Sequence, residues 1–204
     1  FSIVPRSPGD EGLLKLFFGL CLVPAAYALT ICFAHEFLKL SPQVIKAFIW
    51  GIVTFVGVHL FIWDIEPVFT GGKRLIEVIF SFFEPLVSVT PYILPIYTLL
   101  LFLLYFIAVP FIDISAYMFV FVFLLGFSFS LHTVYCARSL RENESDSTAV
   151  GYLFGFLLAY SLDIALMAFL FNLTFNDFSF LNFFNRSYQI TKDIYVAVFT
   201  QFFL

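Results

Sequence analysis

The sequence is poor in charge and has no run of basic residues. Only 12% of its 204 residues are charged, whereas 62% are hydrophobic, and the mean hydropathy is +1.01. A soluble domain of this length cannot hide that much apolar surface in one core. The net charge of −4, without a basic cluster, argues against a nucleic-acid partner and a polybasic lipid-binding tail. We therefore expect the lipid bilayer to be the solvent of this chain.

Enzyme motifs are also missing from the sequence. It has no glycine-rich phosphate loop, no nucleophile elbow and no cluster of cysteine and histidine. His35 and Glu36 begin like the zinc-protease motif HExxH, but Lys39 stands where the second histidine is needed. The three cysteines lack CxxC spacing, fall in predicted membrane helices and are interpreted as small core residues. They are Cys21, Cys32 and Cys136.

Phenylalanine and long apolar runs are abundant instead. The 32 phenylalanines offer rigid contact area to lipid tails and neighbouring helices at little entropic cost. Five apolar runs are long enough, at about 1.5 Å per residue, to cross the ~30 Å core of a bilayer. Because no alternating strands of about 10 residues occur, the sequence predicts an all-α, polytopic transmembrane helical bundle. The predicted spans lie near residues 13–34, 44–63, 91–112, 114–137 and 150–173.

The central span over residues 91–112 holds 22 residues without a charge. Pro91 and Pro95 lie in its first turns, where a missing N–H costs little, and Pro110 helps to end it. Asp113 marks a tight turn, so this span and the next one should form an antiparallel hairpin. The sequence begins at Phe1 without a basic n-region or a cleavage site, and no signal peptide is expected.

Two segments before the central span are predicted to lie outside the hydrocarbon core. Residues 63–74 gather charged side chains around Pro67 and the Gly71–Gly72 pair, which predicts a loop. Residues 75–89 are short and include Glu77 and Glu84 on one helical face. This second segment is therefore interpreted as interfacial or re-entrant rather than spanning.

The C-terminal half contains two further extramembrane regions. Residues 138–149 form the most hydrophilic stretch and predict a loop. Residues 174–204 are read as an interfacial tail that ends in an amphipathic helix over 187–204. Basic residues divide six against four between the two sides, whether or not residues 75–89 cross the membrane. The positive-inside rule therefore does not determine the orientation.

Asp163, near the centre of the last span, is the strongest candidate for a functional residue. An ionisable group at this depth costs at least ~2.5–3.5 kcal/mol unless it is paired, protonated or hydrated. His132 and His59 each lie within a span and are candidate partners. Asp163 could serve as a proton relay or a metal ligand; alternatively, it is a neutral carboxyl group bonded to a Ser, Tyr or His of a neighbouring helix. No catalytic residue is assigned.

Several stretches together resemble a bacterial group of membrane-embedded proteins related to the site-2-protease (M50-like) metallopeptidases. The Pro-Tyr-x-x-Pro-x-Tyr-Thr pattern from Pro91 to Thr98 contributes most to this resemblance, which covers about half of the chain. The stretches are LFFGLCLVPAAYALTICF (16–33), VHLFIWDIEPVFT (58–70), GGKRL (71–75), SVTPYILPIYTLL (88–100) and GYLFGFLLAYSLDIALMAFLF (151–171).

The resemblance implies a zinc-binding HExxH helix between VFT and GGK, where Thr70 is followed directly by Gly71 in this sequence. Either the protein has lost that helix, or the residues are missing from the sequence. Asp163, in SLDIAL, stands where a third zinc ligand would be sought. Zinc is thus expected as a cofactor only if the HExxH segment exists, and otherwise no metal ligand is assigned. The resemblance also implies a location in the bacterial inner membrane.

Three functional hypotheses follow. The first is a non-catalytic integral membrane protein that acts as a structural or scaffold subunit of a larger membrane complex, with lipid and other membrane subunits as partners. The second is an intramembrane zinc metallopeptidase whose HExxH segment is missing. The third is a small transporter or proton-conducting unit that uses Asp163.

Overall fold

The computed structural model describes residues 8–61, 66–79, 94–143 and 149–203, and within these ranges it is helical and contains no strand. This confirms the all-helical class for the described residues. A short 3₁₀ helix, Ile114–Tyr117, precedes the α-helix that begins at Met118. The described residues form seven α-helices: α1 Pro8–Phe37, α2 Pro42–Phe61, α3 Glu66–Ile79, α4 Ile96–Ala108, α5 Met118–Asn143, α6 Ala149–Thr174 and α7 Phe180–Phe203.

Four of these helices are long and apolar enough to cross a bilayer, as expected for a multi-pass membrane protein. The candidate spans are Leu16–Phe37, Pro42–Phe61, Met118–Arg141 and Tyr152–Thr174. They coincide with four predicted spans to within a few residues.

The span predicted over residues 91–112 is represented by the shorter helix α4. It has 13 residues, which corresponds to about 20 Å. Its predicted C-terminal boundary is wrong: α4 ends at Ala108, because Pro110 has no N–H with which to continue the helical hydrogen bonds. Residues 91–93, at the other end of the predicted span, lie outside the described residues. The next helix begins at Met118 rather than at 114, after the 3₁₀ helix.

The loop predicted over residues 63–74 is wrong from residue 66 onward, since α3 covers Glu66–Ile79. Its two adjacent glycines lie inside the helix and face α4. A Cβ on Gly72 would lie 2.9 Å from a ring carbon of Tyr97, so the glycine allows α3 to approach this ring closely. The tertiary contact compensates for the low helix propensity of glycine. Of the predicted interfacial segment 75–89, residues 80–89 lie outside the described residues.

The loop predicted over residues 138–149 is also wrong in its first half. Helix α5 continues to Asn143, and α6 begins at Ala149. Leu140 packs against α6, where its methyl carbons lie 3.5–3.6 Å from the position of a Cβ on Gly155. The polar residues thus show where the helix becomes hydrophilic, but they do not end the helix. Water solvates polar side chains on the exposed face of a helix.

The contacts between helices define their relative directions. Helices α1 and α6 run parallel, since Gly19 lies beside Phe154 and Thr30 bonds to Tyr160. Helices α2 and α5 also run parallel: position 126 of α5 lies against Phe48, and Tyr135 of α5 lies against His59. Helices α5 and α6 run antiparallel, because His132 meets Asp163 and Leu140 meets Gly155. The chain between the end of α2 and the start of α5 must therefore return across the bundle.

Helix α4 provides this return, because it runs antiparallel to α5. Tyr97 and Leu131 lie at one end of the groove between the two helices, and Leu104 and Leu124 line its other end. The bundle therefore has Lys39 and Arg186 at one end and Arg74, Arg138 and Arg141 at the other.

The core is built from phenylalanine rings contributed by four helices. Phe171 of α6 is fully buried and lies at its centre. Its ring contacts Phe37 of α1, Phe48 of α2 and Phe102 of α4, at centroid distances of 5.7, 5.8 and 6.4 Å. Tilted and edge-to-face ring pairs of this kind add to the stabilisation from apolar burial. Part of the phenylalanine content therefore serves the interior of the bundle.

Candidate functional site

Asp163 faces α5 from the middle of the α6 span and contacts His132. Its Oδ2 lies 2.7 Å from Nδ1 of His132, and the two residues are only 2% and 4% exposed. The expectation that Asp163 faces protein and has a polar partner is met by this geometry. Of the two candidate histidines, the structure brings His132 to the carboxyl group, because α5 packs directly on α6.

The spacing of residues on α5 determines what surrounds this pair. Ser128, His132 and Cys136 recur every four residues and so lie on one side of the helix. Cys136 is buried as well, and its thiol lies close enough to Asp163 to interact with it electrostatically. Ser128 instead contacts α4, where its Oγ lies 3.0 Å from Oγ1 of Thr98. One side of α5 thus supplies polar contacts to two neighbouring helices.

The second carboxyl oxygen of Asp163 has a different environment. Among the described residues, Oδ1 finds no hydrogen-bond partner although it is fully buried. Leaving a buried acceptor without a donor costs about 1–3 kcal/mol, and more if the group is charged. This atom is therefore an unsatisfied polar acceptor beside the bond to His132.

His59 does not contact Asp163 and lies on α2 instead. Its ring stacks on Phe55 at a centroid distance of 5.7 Å, and its Nδ1 lies 3.5 Å from the hydroxyl oxygen of Tyr135. Tyr135 is 1% exposed and follows His132 by three residues on α5. Tyr135, which sequence reasoning did not single out, thus contacts His59 and lies one turn beyond His132 on α5.

The described residues do not form a metal centre. Across residues 8–61, 66–79, 94–143 and 149–203, no three or more His, Cys, Asp or Glu side chains gather around a point that could hold a metal ion. Helix α3 passes through Thr70 and Gly71 as one continuous element. The role of Asp163 as a third zinc ligand stays a prediction.

A second buried carboxylate belongs to the incomplete HExxH motif at the end of α1, where the sequence gives no sign of its burial. Glu36, at the end of α1, is 2% exposed, and its Oε1 accepts a hydrogen bond from Nζ of Lys39 at 2.5 Å. Its Oε2 accepts one from the backbone N–H of Ser179 at 3.4 Å. Ser179 in turn caps α7, because its Oγ accepts from the N–H of Asn182 at 3.2 Å. The His35–Glu36 pair therefore anchors the start of α7.

Helix α7 then runs along the length of α1. Nη1 of Arg186 donates to Nε2 of His35 at 3.0 Å, and the hydroxyl of Tyr195 donates to the carbonyl of Cys21. Cys21 and His35 are 14 residues apart, or about 21 Å along α1. A helix lying flat on the membrane surface would contact α1 at one level only, so this packing favours an upright α7. The interfacial position of the tail stays a prediction.

The outer face of α7 is polar. Residues at three- and four-residue spacing form an exposed stripe along it. They are Asn182, Asn185, Gln189, Lys192 and Asp193. Because they lie between Arg186 and Tyr195, Lys192 and Asp193 fall level with the middle of the Leu16–Phe37 span.

Comparison with known proteins does not place the chain in a family. No protein-family model, curated protein or solved structure matches it. The resemblance to M50-like peptidases stays a prediction that depends on the quoted sequence stretches.

Proposed function

We propose that this chain is a non-catalytic, multi-pass membrane protein that serves as a structural subunit of a larger membrane assembly, in a bacterial inner membrane. The main support is the polar outer stripe of α7, which includes Lys192 and Asp193. The partner is a second membrane subunit that presents polar groups to this stripe.

The energetic argument concerns the depth of the two charged residues. Lys192 and Asp193 are exposed and level with the centre of the α1 span. A charged side chain at this depth costs at least ~2.5–3.5 kcal/mol on insertion scales if lipid surrounds it. A partner helix with polar or oppositely charged side chains removes most of that cost, and hydrogen bonds between helices are a normal means of association in membranes.

The polar groups inside the bundle support a structural role as well. Each of three polar pairs joins two different helices: Thr30 to Tyr160 at 3.0 Å, Thr98 to Ser128 at 3.0 Å, and His132 to Asp163 at 2.7 Å. Only 22% and 28% of the most apolar parts of α1 and α2 are buried, against 50% for α5. The bundle thus has helices joined by polar pairs at its centre and broad outer surfaces for lipid and other subunits.

Site-specific photo-crosslinking in native membranes tests this proposal. A photoreactive residue at Gln189 should give an adduct with one discrete polypeptide, whereas the same residue at Val53, an exposed apolar position near the middle of α2, should give lipid adducts. Lys192→Glu should abolish the protein adduct and the matching complex in native mass spectrometry. The control Lys46→Glu, at an exposed site on α2, should leave both unchanged.

Three results would contradict the proposal. Only lipid adducts at Gln189 would mean that α7 faces acyl chains. A protein adduct that survives Lys192→Glu would mean that the polar stripe does not hold the partner. An adduct with a second copy of the chain would contradict the second-subunit partner and indicate a homo-oligomer.

A further inference from the structure

The charge of the His132–Asp163 pair depends on how many protons it holds. In water near neutral pH a separate aspartate is ionised and a separate histidine is mostly neutral. The same two states at 2.7 Å in the bundle interior would leave one net negative charge with little water to solvate it. One additional proton makes the pair neutral overall, either as two neutral groups or as an ion pair.

The unpartnered oxygen of Asp163 favours the protonated state. In an ionised carboxylate, Oδ1 would hold about half of the negative charge without a donor among the described residues. In a carboxylic acid whose proton lies between Oδ2 and His132, Oδ1 is a carbonyl oxygen and a weaker acceptor. The geometry of the site therefore supports the uptake of one proton.

A series of side chains leads from this pair towards one end of the bundle. Tyr135 lies one turn beyond His132 on α5, and the two share a side of the helix. The hydroxyl of Tyr135 lies 3.5 Å from Nδ1 of His59, and the two rings meet edge to face at 5.6 Å. His59 is half-buried and lies two residues before α2 ends at Phe61.

Other titratable groups surround the pair on the neighbouring helices. On α5 the buried thiol of Cys136 interacts with Asp163, and exposed Arg138 lies six residues beyond His132. On α6 the hydroxyl of Tyr160 bonds to Thr30 of α1. Among the described residues, further titratable groups on the adjacent helices include Cys32 of α1, His59 of α2 and Tyr97 of α4.

We propose that Asp163 and His132 form a proton-binding site within the bilayer, which exchanges its proton through Tyr135 and His59 with the side of the membrane where α2 ends. This activity goes beyond the structural role proposed above and does not depend on it. The ligand is a proton taken from water and returned to it, with no redox or covalent step.

Infrared difference spectroscopy of the purified full chain in liposomes tests this site. A pH step should change the band of a protonated carboxyl group, and Asp163→Asn should abolish this change. Glu36→Gln, which removes the second carboxyl group that is buried among the described residues, should leave the change intact. Tyr135→Phe should preserve its amplitude but slow its appearance by about a hundredfold, the lower end of the effect of a positioned proton-transfer group.

The matched control for the route is Tyr160→Phe, which removes a half-buried hydroxyl that bonds to Thr30 instead. It should change neither the amplitude nor the rate. A carboxyl signal that persists in Asp163→Asn would overturn the site. Equal rates in Tyr135→Phe and Tyr160→Phe would overturn the route, and this comparison remains valid even if Asp163→Asn fails to fold. The crosslinks from α7 are measured separately, so the two proposals can fail independently.

Discussion

Gly126 of α5 lies directly against the carbonyl oxygen of Phe48 in α2, so close that a Cβ at position 126 would sit 2.2 Å from that oxygen. Gly51 of α2 makes the reciprocal contact, since a Cβ there would lie 2.1 Å from the carbonyl oxygen of Phe123. Ala47, one turn before Gly51, is also fully buried. The two parallel helices thus cross backbone to backbone through small residues, as is common in membranes.

Gly126→Ala should destabilise the protein, because the added methyl group meets backbone atoms and α2 must move away from α5. We expect a loss of about 1–3 kcal/mol, measured by thermal unfolding in detergent. Gly57→Ala is the matched control on α2, where a Cβ would have no other atom within 4 Å. That change should be neutral or stabilise by up to about 1 kcal/mol, through helix propensity alone. Equal effects of the two substitutions would show that the helices do not cross at this point.

Glu36→Ala should loosen the start of α7, because Ser179 N–H and Lys39 lose their acceptor. The expected cost is about 1–3 kcal/mol, with faster amide hydrogen exchange in the first turns of α7. Glu36→Gln keeps an acceptor for Ser179 and should have a smaller effect. Asp177→Asn, an exposed acid in the same connection, is the control and should not change exchange. Unchanged exchange in Glu36→Ala would argue against the anchor.

Asp163→Leu should weaken the packing of α5 on α6, because His132 loses the carboxyl group that it contacts at 2.7 Å. A hydrogen bond between membrane helices contributes about 0.6–1.7 kcal/mol, so we expect a loss of this size in unfolding free energy. Asp163→Asn retains an acceptor and should cost less. A double-mutant cycle with His132→Leu measures the coupling directly. Additive effects of the two substitutions would indicate that the pair does not hold the helices together.

Zinc analysis of the purified protein separates the structural hypothesis from the peptidase hypothesis. The proposed non-catalytic subunit should hold far less than one zinc per chain, with the same value after Asp163→Asn. One zinc per chain, lost in that variant, would support the zinc-peptidase alternative instead. Reading the gene across Thr70 and Gly71 would then show whether an HExxH segment is encoded there.

The directions of the helices predict which residues share a side of the membrane. Cysteines introduced at Lys39 and Asn182 should react with an impermeant thiol reagent from one side. Cysteines introduced at Arg74 and Arg141 should react from the other side, since α4 returns the chain across the bundle between α2 and α5. Labelling of Lys39→Cys and Arg141→Cys from the same side would contradict the arrangement of α4 and α5.

The positions of the four long apolar helices were accessible from the sequence. Whether a run such as residues 150–173 can span is a local property, because the thickness of the hydrocarbon layer is set by lipid and the rise per residue by the helix. The sequence also indicated that Asp163 needs a partner. The free-energy cost of an unpaired ionisable side chain depends on its depth in the bilayer, and that depth follows from its position in the span. Those inferences require no knowledge of neighbouring helices.

Other features were decided only by the tertiary structure. The choice of His132 over His59 depends on which face of α5 meets α6, and the burial of Glu36 depends on where α7 begins. Helix α3 continues through Gly71 and Gly72 because Tyr97 fills the space beside them. In each case the energy comes from residues distant in sequence, and local composition and periodicity do not contain that information.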